Sequence, residues 1–247
     1  MLELDKIYCM DALKGLQSID DNTIDLVLTD PPYGFNDKDW DTFNDKELMV
    51  FNISWVKEVY RILKNEGSFY CFSGFRNMNV FLKTFDLFPF NLQNMIVWER
   101  DSPGRLQGSK KYTMNFELIW FLTKSNDYIF NVDDVRIKHK YKDKRQNPNG
   151  KNCGCIWSCK NLLIGKHKEQ VGHPHQKPIE LIERIVKASS NEDDIVLDLF
   201  SGSGTTPLVC KRINRRYIAF EKEEGYYNIS LKRLLNQPER IDKWIET

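Results

Sequence analysis

The sequence predicts an α/β fold built on a doubly wound, mostly parallel sheet, and three features carry that expectation. The run Ile24-Asp25-Leu26-Val27-Leu28 is almost continuously apolar, as a strand buried on both faces must be. It halts at Thr29-Asp30-Pro31-Pro32-Tyr33, where two successive prolines have no N–H to give to a ladder. A second run, Ile195-Val196-Leu197-Asp198-Leu199-Phe200, leads into a glycine-rich turn, a helix and another strand. Between the two, strand-like runs alternate with helical periodicity, the rhythm of βαβ units.

In chain order, residues 4–8 read as a short strand and Met10-Asp11-Ala12-Leu13 opens a helical turn, which places Asp11 at that strand's end. After the central strand, residues 34–42 form a polar loop containing Trp40. Leu48, Phe51, Trp55, Val59, Ile62 and Leu63 recur at helical spacing from position 44 onward, and Asn65-Glu66-Gly67 reads as the helix end. A strand over 67–72, a helix over 77–88 and strands over 95–99 and 116–123 follow. Pro178 opens a helix whose apolar face is Ile179, Leu181, Ile182, Ile185 and Val186. Then come the strand from 195, a helix to about 213, a strand over 217–221 and a closing helix over 225–236.

Residues 101–115 and, more clearly, 124–172 interrupt this rhythm with polar, basic sequence, too long for an idle loop in a compact domain. The expected organisation is therefore a first part over 1–123, an inserted region over 124–172 and a third part over 173–247 that completes the same domain. With 247 residues a real core can be buried, and a formal net charge of +1 means that any polyanion must be met by a local patch. No apolar stretch approaches the roughly 20 residues a spanning helix needs. Six cysteines, several within apolar runs, and no basic-then-apolar leader fit a reduced, cytoplasmic setting.

Two constellations carry chemistry. Asp30 can accept hydrogen bonds from an amino group, Pro31 offers a carbonyl in stiff backbone, and Tyr33 offers a flat face. Together they suit a planar heterocycle with an exocyclic amine at a strand's carboxyl end, where α/β sheets bind ligands; a locally satisfied Pro-Pro turn is the competing reading. In the last third, Ser201-Gly202-Ser203-Gly204-Thr205-Thr206 followed by a strand ending in Glu221 is a nucleotide-type layout. Pro207 stands where a dinucleotide site has its third glycine, and no lysine precedes the threonines as a phosphate loop requires. Asp198 adds a carboxylate that suits a positively charged ligand, and S-adenosylmethionine has the ribose, the cations and no phosphate.

These motifs, with His173-Pro174-His175-Gln176-Lys177-Pro178 between them, resemble the amino-methyltransferases that act on DNA, in the motif order of their β group. The resemblance implies a seven-stranded Rossmann-like methyltransferase sheet with an inserted target-recognition region. Asp30 and the Pro31 carbonyl, stiffened by Pro32, would hold the target amine, with Tyr33 stacking on a base flipped out of DNA. Phe200, Ser201, Gly202, Ser203, Gly204, Thr205 and Thr206 would line S-adenosylmethionine, bordered by Asp30. Asp198 and Glu221 would bind its polar groups, Asp11 would approach its adenine, and Lys177 would lie near its methionine end. Family members commonly carry Thr at the place of His175 and Pro at that of Leu199, and neither change removes a group the chemistry needs.

The implied reaction is methylation of the N6 amine of adenine at a specific DNA sequence, in a restriction-modification or phage setting. Methylation of cytosine N4 is the alternative, since its enzymes more often carry Ser where Asp30 stands, and a non-catalytic nucleic-acid-binding module is the alternative of another class. No Pro-Cys pair exists for attack at cytosine carbon 5. Arg136, Lys138, Lys140, Lys142, Lys144 and Arg145, interleaved with His139 and Tyr141, suit phosphate tracking, and Arg105, Lys110 and Lys111 would extend that surface. Cys153, Cys155 and Cys159 with His167 and His173 lack the paired spacing of zinc sites, so no metal is expected. Trp157, Trp98 and Trp120 read as core rather than site. Homodimerisation is left open.

Overall fold

The computed structural model describes residues 2–33, 43–100, 110, 112–139, 147–159 and 168–236. Its sheet strands are β1 (Lys6–Cys9), β2 (Ile24–Thr29), β3 (Leu63–Ser73), β4 (Asn91–Arg100), β5 (Phe116–Thr123), β6 (Ile156–Cys159), β7 (Ile195–Asp198) and β8 (Arg216–Glu221). The helices are α1 (Ala12–Leu16), α2 (Asp45–Ile62), α3 (Met78–Phe85), α4 (Ile179–Ser189), α5 (Thr205–Arg212) and α6 (Glu224–Leu235). The strands lie in the order β1-β8-β7-β2-β3-β5-β4-β6, with only β5 running against its neighbours.

Alternation along the central strand builds a core on each face. Val27 joins Leu16, Trp55, Val59, Phe81 and Phe85 beneath α1, α2 and α3. Leu26 and Leu28 join Leu181, Ile185, Leu208 and Leu234 beneath α4, α5 and α6. All six β2 residues are buried, which is why no amphipathic alternation showed in the sequence. Trp98, Trp120 and Trp157 are buried in these layers, as expected.

Three local differences have physical causes. The sheet has eight strands rather than seven, because Ile156–Cys159, within the stretch expected to be an insertion, pairs in parallel with the second half of β4. Next, α2 stops at Ile62, not at Asn65-Glu66-Gly67, since Leu63 is already extended and pairs with Ile24. Gly67 serves the strand instead, because a Cβ there would meet the Leu63 side chain at 2.8 Å. At its other end α2 is fixed by a capping box between Asn44 and Glu47. Finally, the 195–200 run leaves the sheet at Asp198, and Phe200 bends back with its N–H on the Asp198 carboxylate.

Candidate active site

The chain passes from β2 outward to β3 on one side and from β7 outward to β8 on the other, while β2 and β7 pair directly through Leu26↔Val196 and Val27↔Leu197. Connections that diverge from adjacent parallel strands leave a crevice above their carboxyl ends. Asp30, just past β2, and Asp198 with the glycine turn, just past β7, therefore line one cleft. Thr29, Phe72, His173, His175, Lys177, Phe200, Ser201, Gly202, Ser203, Thr205 and Thr206 complete its wall.

Both oxygens of Asp30 are engaged. Tyr33 donates its hydroxyl to Oδ1, and the Lys177 ammonium pairs with Oδ2. The Tyr33 ring meets Phe81 edge-on at 6.4 Å, and Pro31 is buried beneath. Burial, followed by the charges of Asp30 and Glu117, raises the Tyr33 pKa well above its ordinary value, so this phenol donates and does not ionise. Lys177 also lies 3.4 Å from Glu117 Oε2, and Glu117 is held by Arg100 at 3.0 Å. Burial alone would lower the Lys177 pKa, but the Asp30 and Glu117 carboxylates outweigh it and the net shift is upward.

The glycine turn is fixed from three sides. Gly202 and Gly204 both have positive φ, +51° and +72°, a conformation that disfavours side chains. A Cβ on Gly202 would meet His173 Nε2 at 2.9 Å, and one on Gly204 would meet Ser230 Cβ at 2.8 Å. The glycines are thus demanded by the protein's own packing, not only by approach to a ligand. Glu221 accepts the Gly202 N–H at 2.7 Å and the Glu223 N–H at 2.8 Å, tying turn to strand end. Burial raises the Glu221 pKa against the lowering effect of those N–H donors.

Asp198 is 5% exposed. Burial pushes its pKa up to about 7, even though the Thr206 side chain and the Phe200 N–H favour the charged form. His173 moves the other way, down to about 4, chiefly through burial and the neighbouring His175, so it is neutral; its ring lies 4.3 Å from that of Tyr226. Two buried hydroxyls on the cleft wall, Thr29 Oγ1 and Ser201 Oγ, have no hydrogen-bond partner among the described residues. A buried carboxylate that is hard to ionise alone, beside unanswered hydroxyls, fits a ligand bearing both a cation and polar groups.

Asp11 lies outside the cleft wall: its carboxylate caps α1 through the Leu13 and Lys14 N–H groups, next to the β1 end that pairs with Glu221. Arg136 is bound internally to Asp133 and the Gly150 carbonyl, whereas Lys138 is exposed. Lys140, Lys142, Lys144 and Arg145 lie outside the described residues, as do Trp40, Arg105, Lys111 and His167. Three residues escaped the sequence reading. Glu117 was signalled only by an acid at the start of an otherwise apolar strand, and Arg100 by nothing local. Arg233, 6% exposed on α6, donates to Ser203 O, Ser203 Oγ and Thr205 Oγ1 at 2.8–3.3 Å and braces the turn from behind.

A family model described as DNA methylase matches residues 24–232. The chain is 33% identical to the type II methyltransferase M1.MboII of Moraxella bovis, an alignment covering 97% of this chain and 99% of that protein. It is 34% identical to the DNA adenine methyltransferase YhdJ of Escherichia coli strain K12, over 91% of this chain and 80% of that one. Its fold superposes on the cytosine-N4-specific PvuII DNA methyltransferase with a TM-score of 0.76 at 24% identity, over 95% and 88% of the two chains. An M1.HpyAVI complex with SAM gives a TM-score of 0.63 at 24% identity, over 93% and 98%.

Proposed function

We propose, from the premise that this chain belongs to the DNA methylase family, that it moves a methyl group from S-adenosylmethionine to the N6 amine of adenine in DNA, as a restriction-modification enzyme does. The observation that carries the reading is the single cleft in which an amine-binding carboxylate, Asp30, meets the glycine turn of a cofactor site.

S-adenosylmethionine supplies an electrophilic methyl on a sulfonium. Thr29 and Ser201 have hydroxyls to offer it, Asp198 a desolvated carboxylate for a cation, and Gly202 to Thr206 the wall. In the proposed reaction the exocyclic amine is a weak nucleophile because its lone pair is delocalised into the ring. Hydrogen bonds from its N–H groups to Asp30 and the Pro31 carbonyl would draw the nitrogen toward tetrahedral geometry and stabilise the positive charge that grows on it. As the N–CH3 bond forms the sulfonium's S–CH3 bond breaks to leave a thioether, and the surplus N–H proton is lost to solvent. Flipping the base costs about a few kcal/mol, which stacking on Tyr33 offsets in part.

Aspartate at position 30 favours adenine over cytosine, since enzymes of the cytosine-N4 type more often carry Ser there, and relatives such as YhdJ bear adenine in their names. Incubation of unmethylated DNA with methyl-labelled S-adenosylmethionine, digestion and separation of nucleosides tests this. Label in N6-methyl-2′-deoxyadenosine is expected; label in N4-methyl-2′-deoxycytidine overturns the base assignment, and unlabelled DNA overturns the proposal.

A further inference from the structure

The acceptor assigned to the target amine is already held by a cation. Lys177 Nζ pairs with Asp30 Oδ2 while Tyr33 fills Oδ1, and the Lys177 side chain is 10% exposed. Its ammonium stands 4.9 Å from the centre of the Phe72 ring, on the wall of the cleft, so it lies where a ligand amine would approach. The Lys177 backbone does not wander, since its carbonyl accepts the Thr205 hydroxyl at 3.2 Å. Only the flexible four-carbon stem is free to reposition the charge.

A second acceptor lies within reach. Glu117 Oε2 is 3.4 Å from the same ammonium and makes no hydrogen bond among the described residues, while Glu117 Oε1 takes Arg100 Nη1 at 3.0 Å. Glu117 comes from β5, which runs antiparallel to β3, and Arg100 from the end of β4 beside it. The arrangement is a row of alternating charges, Arg100, Glu117, Lys177 and Asp30, with the lysine between two carboxylates and attached closely to one of them.

Resting on the methyl-transfer reading above, we propose that Lys177 is a place-holder on Asp30, occupying the position the target amine takes, and that Glu117 is the second station to which its ammonium moves when the amine arrives. The charges require such a move. During methyl transfer the amine nitrogen becomes positive, and an ammonium left on the same carboxylate would repel it and use the lone pairs it needs. With the ammonium on Glu117, Asp30 keeps its full charge for the reacting nitrogen. Between turnovers the place-holder keeps a partly buried carboxylate paired. Glu117 therefore acts through Lys177, as a positioning residue.

The test is a pair of comparisons, in single-turnover transfer of labelled methyl from saturating S-adenosylmethionine to DNA from a methylation-deficient host. In the natural background Glu117→Gln strands the ammonium on Asp30, and transfer is expected to slow about tenfold, the size of one charge-assisted hydrogen bond. In the Lys177→Met background the same Glu117→Gln change is expected to alter the rate by less than about twofold, because nothing is left to reposition. A merely structural role for Glu117 would give the same loss in both backgrounds, and that result overturns the proposal. So does Glu117→Gln at the natural rate, or Lys177→Met with no measurable transfer even at saturating S-adenosylmethionine, since a place-holder loads Asp30 only while the amine is absent. Thermal melting followed by circular dichroism reports folding of each variant. Glu117→Asp and Lys177→Gln replace any that does not fold, with the same background dependence decisive. Failure of the natural enzyme to label DNA at all would instead bring down the methyl-transfer reading.

Discussion

Two aspartates face the same cleft, and their surroundings divide the labour between them. Asp30 is held by a phenol and an ammonium, both donors, which leave it the role of acceptor. Asp30→Asn should lower methyl transfer by about 10²–10³ while cofactor affinity stays within a few fold; calorimetry and labelled transfer on the same preparations check the pair, and equal loss in both would dissolve the division. Asp198 is buried, and its pKa stands at about 7 against an ordinary 3.8. Below pH 7 it is mostly protonated and cannot neutralise a cation, so S-adenosylmethionine affinity should be flat above pH 7 and fall as pH drops through it. Between pH 8 and pH 6 the loss should approach roughly tenfold, and Asp198→Asn should remove the dependence. The stability linkage has the opposite sign. A carboxyl whose pKa is raised on folding binds more protons folded than unfolded, so its contribution declines as pH rises from about 4 through 7.

At the scale of elements, the glycine turn is a joint packed between α6, His173 and the end of β8. Gly204→Val places a side chain at φ +72° and against Ser230. Cofactor binding should fail first, and the strain, about 2 kcal/mol, should also lower the melting temperature by roughly 4–8 °C; a scan with and without S-adenosylmethionine reads both. The turn and its strands were legible because a central parallel strand must be apolar at every position and because prolines and glycines punctuate sharply. Ile24–Thr29 and Ile195–Asp198 show this, each with its functional carboxylate in or just beyond the strand's end. Glu117 and Arg100 were not legible, since their partnership with Lys177 depends on β4 and β5 pairing antiparallel beside β3, a register no local pattern encodes. Nor was β6: four residues, Ile-Trp-Ser-Cys, in a polar tract carry too little periodicity to announce a strand. Leu63 escaped because helix and strand share it without a loop, so Gly67 drew the boundary to the wrong place.

For the whole molecule the question is how a chain of net charge +1 engages a polyanion. The described residues of 124–172 are joined to the sheet by β6 and by the Asn131 N–H on the Ala188 carbonyl. Ile137 and Lys151 pair in an isolated bridge, with Gly150 at φ +107° and its own Cβ position blocked by the Ile137 carbonyl, and the sequence between them is basic. Arg136 is held by Asp133 and Gly150, whereas Lys138 faces solvent and precedes Lys140, Lys142, Lys144 and Arg145 in the sequence. We propose phosphate contacts for Lys138, Lys140, Lys142, Lys144 and Arg145 and a structural role for Arg136, which already pairs with Asp133 and the Gly150 carbonyl. Each phosphate contact removed should reduce the slope of log affinity against log salt by about 0.9. Replacing Lys138, Lys140, Lys142, Lys144 and Arg145 by Gln should thus flatten that slope by up to about 4–5, whereas Arg136→Gln should reduce the thermal stability of the region. A fluorescence-anisotropy salt titration of each variant on a DNA duplex separates the two roles, and a slope unchanged by the fivefold replacement would move the DNA path away from this segment.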